Sequence, residues 1–158
     1  MSLLPFFTWC ENSGLGGTIR SSSWLFPVIE AFHLLGLAVI GGAVLVVDLR
    51  LFGFELRRQP VAQLARDAQR WLVGSLMVML ATGALLFSSE AIKCYYHPAF
   101  WFKMTSLFLA IVFTFTVHRK VALADETRVR PLWSKLVALT SVLLWSGVGI
   151  GGRWIGFS

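Results

Sequence analysis

Charged side chains are scarce in this chain, 14% of 158 positions, while hydrophobic residues make up 56% and the mean hydropathy is +0.72. So little polar surface cannot cover a water-exposed globule, which excludes an ordinary soluble domain. Cysteine is nearly absent as well. Cys10 and Cys94 cannot build a disulfide framework, and neither belongs to a zinc-ligand spacing. Cys94 and His97 with Met104 are too few soft donors to specify a copper site. No nucleophile–base set and no phosphate-binding glycine loop occurs, so the common hydrolytic and nucleotide-binding classes have no foothold.

What the chain does have is apolar length. A helical span of a bilayer needs roughly 20 apolar residues, and four such stretches occur, at about 24–51, 62–89, 98–118 and 132–155. The expected fold is all-α: an up-down bundle of four transmembrane helices over residues 24–158, entered through an interfacial segment, residues 1–23. That first segment lacks a basic start, carries Pro5 inside its short apolar run and offers no small-residue cleavage site. It reads as retained and lying along the interface, anchored by Phe6, Phe7 and Trp9. Pro27, Pro60, Pro98 and Pro131 stand where helices should begin.

The cations give an orientation. Ten of the 14 Lys and Arg residues fall in or beside the first-to-second and third-to-fourth connections. The positive-inside rule then places both connections in the cytoplasm and both termini outside. The net charge of +6 is a product of topology and lipid contact. Nucleic-acid binding is not expected, because no soluble module exists to present the arginines.

At 100° per residue, Glu30, His33, Leu37, Gly41, Val44 and Asp48 share one face of the first span. Ser75, Met79, Thr82, Leu86 and Ser89 do so on the second, and Lys103, Ser106, Ala110, Thr114 and, slightly to one side, His118 on the third. The fourth offers Lys135, Leu139, Val142, Ser146, Gly149 and Arg153. Charged groups left against lipid cost several kcal/mol each, so these stripes are expected to face one another as a polar seam. Depth divides it into layers: Glu30 about 4–5 Å, His33 about 9 Å and Lys103 about 7–8 Å below the outer helix ends, with Arg153 level and His97 at the rim. An inner layer gathers Asp48, His118, Thr114 and Lys135. Glycines of the fourth span, Gly147 with Gly151 and Gly152 with Gly156, are four apart, which lets another helix approach closely, within this chain or in a homo-oligomer or larger complex.

A neutral imidazole inside such a bundle is a good haem ligand. His33 would be the axial and metal-binding residue, His97 a second candidate, and Lys103 and Arg153 the partners of the propionates. The run Trp24-Leu-Phe-Pro-Val-Ile-Glu-Ala-Phe-His33, then Asp48-Leu-Arg-Leu-Phe-Gly53, His97-Pro-Ala-Phe-Trp-Phe-Lys103 and Gly151-Gly-Arg-Trp-Ile-Gly156 resemble an uncharacterised family of bacterial four-helix membrane proteins, a domain of unknown function. A histidine early in the first span followed by small residues is also similar to copper-resistance D-type and small b-type cytochrome membrane proteins. These resemblances imply a multi-pass protein of a bacterial inner membrane, binding haem b and passing electrons to a quinone or an external redox protein. Two readings stay open beside that one. Glu30, His33 and Lys103 with Asp48 and His118 could form the proton relay or ion pairs of a proton-coupled transporter or channel, or the chain could be a structural subunit. Cys10 and Cys94, both placed outside, can form one bridge or remain two thiols.

Overall fold

The computed structural model describes residues 2–54, 60–124 and 127–157, and all regular structure among them is helical. Two short helices, α1 (Leu4–Glu11) and α2 (Gly14–Ser21), precede the first long one, α3 (Leu25–Leu51). The chain returns along α4 (Val61–Ser89), makes the short α5 (Ala91–Tyr96), descends through α6 (Pro98–Leu123) and returns along α7 (Pro131–Phe157). The four long helices hold 26 to 29 residues each and are apolar enough to cross a membrane. At about 1.5 Å per residue the shortest spans roughly 39 Å, against a hydrocarbon core of about 30 Å.

Local signals set the helix ends. Pro98 and Pro131 occupy first-turn positions, where the missing N–H is no loss. His97 caps α6 through its own side chain, Nδ1 accepting from the Ala99 amide at 3.2 Å. Gly53, at φ 99°, stops α3: its N–H reaches the Arg50 carbonyl at 3.0 Å and the Phe54 N–H the Leu49 carbonyl at 3.1 Å. This paired arrangement needs a left-handed residue at Gly53 and satisfies two terminal carbonyls.

Small residues decide which helices touch. Gly36 lets α3 settle on α4, since a Cβ there would stand 3.3 Å from the Ser75 carbonyl. Gly151 does the same for α7 on α6, where a Cβ would meet Lys103 at 3.1 Å and Phe102 at 3.2 Å. Ile40, Val44, Leu76, Met79, Leu107, Trp145 and Val148 fill the middle of the bundle, and a second layer of Val47, Leu51, Val61, Ala122 and Ala138 lies toward its basic end. Phe32, Leu34, Leu45, Phe108, Leu143 and Ile150 point outward and are 46–67% exposed, a surface that suits lipid and not water.

The first segment is more than an interfacial strip. Phe6 and Trp9 face outward as interfacial anchors would, but Phe7 is only 5% exposed and plugs the end of the bundle, its ring 5.1 Å from both Phe87 and Tyr95. Glu11 fastens this cap: one carboxylate oxygen pairs with Arg20 at 2.9 Å and the other accepts the Ile92 amide at 2.6 Å. Arg20 in turn donates to the Ser89 carbonyl at 3.3 Å. Gly16 sits directly on the Ser88 carbonyl. The bundle therefore has a cap end, built from α1, α2 and α5, and an opposite basic end. The Arg57–Arg58 part of the basic connection lies outside the described residues.

Candidate functional site in the bundle interior

Toward the cap end, three helices meet at His33. Thr82 of α4 donates its hydroxyl to the Val78 carbonyl at 2.7 Å, so its oxygen is left to accept from His33 Nδ1 at 3.0 Å. Nδ1 then carries the ring proton, and Nε2 accepts from Lys103 Nζ of α6 at 3.4 Å. The chain Lys103–His33–Thr82–Val78 thus runs in one direction. Gly83 makes room for the ring, because a Cβ there would lie 3.1 Å from His33 Cε1, and Gly152 of α7 does so for the Lys103 ammonium. Glu30, half-buried one turn away on α3, has no hydrogen bond or ion pair among the described residues.

Arg153 does not join this layer. It is exposed and its guanidinium stacks 4.3 Å from the Phe157 ring centre. The expected inward stripe of α7 is corrected with it: Lys135, Leu139, Ser146 and Arg153 are exposed, and the buried face is Val137, Ala138, Ser141, Trp145, Val148 and Gly151. Charges at helix ends reach water along their own stems and so do not set a helix's rotation. Close packing of Gly147 and Gly151 against Phe102, Lys103 and Ser106 of α6 sets it instead.

His33 and His97 are not level. Lys103 lies beside His33 and six residues further along α6 than His97, about 9 Å. Both His33 nitrogens and His97 Nδ1 are engaged by protein groups, and among the described residues no set of three or more His, Cys, Asp and Glu gathers to hold a metal ion. A haem iron on His33 would have to displace Lys103, and Arg153 is turned away from any propionate. The residues present do not fit the haem site expected from the sequence.

The inner layer is the tighter one. Asp48 of α3 is fully buried and His118 of α6 is 6% exposed, with His118 Nε2 donating to Asp48 Oδ1 at 2.7 Å. Among the described residues Asp48 Oδ2 has no hydrogen-bond partner, and neither does the buried hydroxyl of Ser141. Ser141 stands on α7 between Ala138, which packs with Val47 and Leu51, and Trp145, whose indole N–H donates to Thr114 at 3.1 Å, so both orphaned groups lie at one depth. In a regular α-helix His118 would stand about 60° off the Lys103 line. Thr114–His118 forms a π turn, in which the Arg119 amide reaches back to the Thr114 carbonyl, and this wider turn brings the imidazole onto Asp48. Lys135, expected in this layer, stays at the surface.

Cys10 and Cys94 are both free thiols, half-buried where α1 meets α5. Burial, then the negative charge of Glu90, pushes the Cys94 thiol from its ordinary 9.0 up to about 11.

The fold and interior define a multi-pass, four-helix membrane protein with two buried polar stations. The chain belongs to a family of unknown function, DUF6644, which matches residues 6–158. Neither a curated protein nor a solved structure matches it.

Proposed function

We propose that this protein moves protons through its interior as a proton-coupled transporter, with Asp48 and His118 as the station at the basic end and His33, Lys103 and Thr82 as the station at the cap end. The buried Asp48–His118 pair carries this reading. An imidazole can both give and accept a proton, and here it is hydrogen-bonded at 2.7 Å to a carboxylate whose second oxygen has no partner among the described residues. An intramembrane ionisable pair is costly to keep, and pairs of this kind mark proton relays. Fifteen residues of α3, about 22 Å, separate His33 from Asp48, and the apolar layer around Ile40, Met79 and Val148 insulates them. That layer favours alternating access to the two stations over an open pore.

Reconstituted into liposomes containing a pH-sensitive dye, the protein is expected to dissipate a proton gradient at least several-fold faster than empty vesicles. Asp48→Asn should return the rate to the empty-vesicle level and Lys135→Gln should not alter it. Wild-type vesicles no faster than empty ones would refute the reading. In the orientation proposed, with the basic end cytoplasmic in a bacterial inner membrane, a reporter fused after Arg128 reads cytoplasmic and one fused after Ser158 reads external. The opposite pair of results would invert the assignment of the two stations.

A further inference from the structure

Asp48 Oδ2 and the Ser141 hydroxyl make no hydrogen bond among the described residues, although both side chains are completely buried. A buried polar group in that state is costly unless something satisfies it. Ser141 differs from other hydroxyls of these helices. Thr82, Thr116 and Thr140 each donate to a carbonyl one turn back, the ordinary resort inside an apolar layer, and Ser141 does not. Its level on α7 matches that of Asp48 on α3. Val44 packs in the cluster that holds Trp145 and Val148, and Val47 and Leu51 in the one that holds Ala138. Asp48 and Ser141 lie between these clusters on their own helices, with no hydrogen bond between them.

From this arrangement we infer a binding site for a small monovalent cation, held between Asp48 Oδ2 and the Ser141 oxygen. Oxygen donors select a hard ion. Among the described residues no lysine or arginine pairs with Asp48, so beside a neutral His118 the carboxylate leaves one negative charge for the ion to cancel. A divalent ion would leave a net positive charge buried in the same layer. Thr114, one turn from His118 and 5% exposed, accepts from Trp145 and keeps a second lone pair. The π turn adds a backbone oxygen: the Arg119 amide, which an α-helix would give to the Phe115 carbonyl, goes to Thr114 and Thr116 instead. A cleft of about 40 Å³ adjoins this turn, with Thr114, Phe115 and His118 in its walls. That is room for roughly two or three waters, enough for a small ion shedding its hydration shell and too little for an organic cation. Arg119, also on the wall, opposes entry in proportion to the charge of the ion. The site shares Asp48 with the proposed proton station, but cation binding goes beyond that reading and does not depend on it.

The probe is radiolabelled Na⁺, measured by scintillation proximity on the detergent-solubilised full chain, with choline holding the ionic strength constant. Saturable binding is expected, competed by unlabelled Na⁺ or Li⁺ and not by choline, together with a thermal midpoint that rises with Na⁺. Asp48→Asn should abolish binding. Ser141→Ala removes one donor without burying a new polar group, so it should weaken binding at least fivefold and erase most of the Na⁺-dependent rise, with a midpoint in choline no lower than that of the wild type. Absence of saturable binding, or wild-type affinity in Ser141→Ala, would overturn the inference. So would a Ser141→Ala midpoint that drops equally in Na⁺ and in choline, the mark of a buried water bridging the two oxygens. Binding without proton flux would sink the transport reading and spare this one. Flux without binding would do the reverse.

Discussion

Asp48→Ala is expected to destabilise the folded protein by about 3–5 kcal/mol, and Asp48→Leu combined with His118→Leu by far less. Asp48 is fully buried and, among the described residues, its ion-pair partner is His118. Deleting the carboxylate leaves a buried imidazole N–H with no acceptor, and removing one member of a buried pair costs about that much in other proteins. Replacing both members with apolar groups removes the two desolvation penalties together, a change that is often neutral or stabilising. Unfolding midpoints in a mild detergent titrated with denaturing detergent separate the cases. If the double variant is as damaged as Asp48→Ala, the pair is held by more than each other. The same double variant should carry no proton flux despite its restored stability, which separates the pair's chemical role from its structural one.

Gly16→Val is expected to raise the alkylation rate of Cys94 on the order of a hundredfold. A Cβ at Gly16 would lie 2.2 Å from the Ser88 carbonyl and 3.0 Å from that of Glu11. Both are backbone atoms that cannot swing aside, so α2 must lift from the end of α4. Lifting it pulls Glu11 and Arg20 from Ile92 and Ser89, and Phe7 from between Phe87 and Tyr95. Cys94 then meets water. Its thiol, held up to about 11 in the closed cap, falls toward the ordinary 9.0, and two pKa units amount to about a hundredfold more thiolate at any pH below 9. Maleimide labelling at pH 8, followed by intact mass, measures the rate. A rise smaller than threefold would show that the cap does not shield this thiol. The same displacement fixes the pH response of the cap. Below about pH 9 the Cys94 thiol is protonated whether the cap is open or shut and adds nothing to the balance. From 9 to about 11 only the open form ionises, so closure weakens as pH rises through that window.

Much of this architecture was legible from residue order because the signals are local. Apolar length gave the four spans, the prolines their starts, and 100° spacing the inward face of α3, on which His33, Val44 and Asp48 are buried. Ser106, Ala110 and Thr114 on α6 came out the same way. The phase of α7 did not, because its most conspicuous polar residues, Lys135 and Arg153, sit where a long side chain escapes to water, while the residues that fix its rotation are glycines and one buried serine. Residue order also gives no measure of how deeply the inner layer is buried. Asp48 next to Arg50 and His118 next to Arg119 look like interfacial pairs. Only the π turn, which no residue type in Thr-Phe-Thr-Val-His announces, and the packing of Ser141 and Trp145 from a distant helix seal them inside. The misfit to haem arises at a three-helix contact: whether His33 Nε2 is open to iron depends on Lys103 70 positions away, and spacing within one helix cannot say.

The wide turn at Thr114–His118 makes the interior sensitive to counting as much as to chemistry. Losing a single codon between Phe113 and Arg119 would let α6 run as an ordinary helix, still long and apolar enough to cross the bilayer, with its start, cap and glycine contacts against α7 untouched. The wide turn takes up one residue more than an ordinary turn, so the shortened helix would carry His118 back to nearly the same side, still facing Asp48. The opposite change, an ordinary turn with every residue kept, would rotate His118 and all that follows it by on the order of 90°, so the same five residues face Asp48 only while the chain spends one of them on the wider turn.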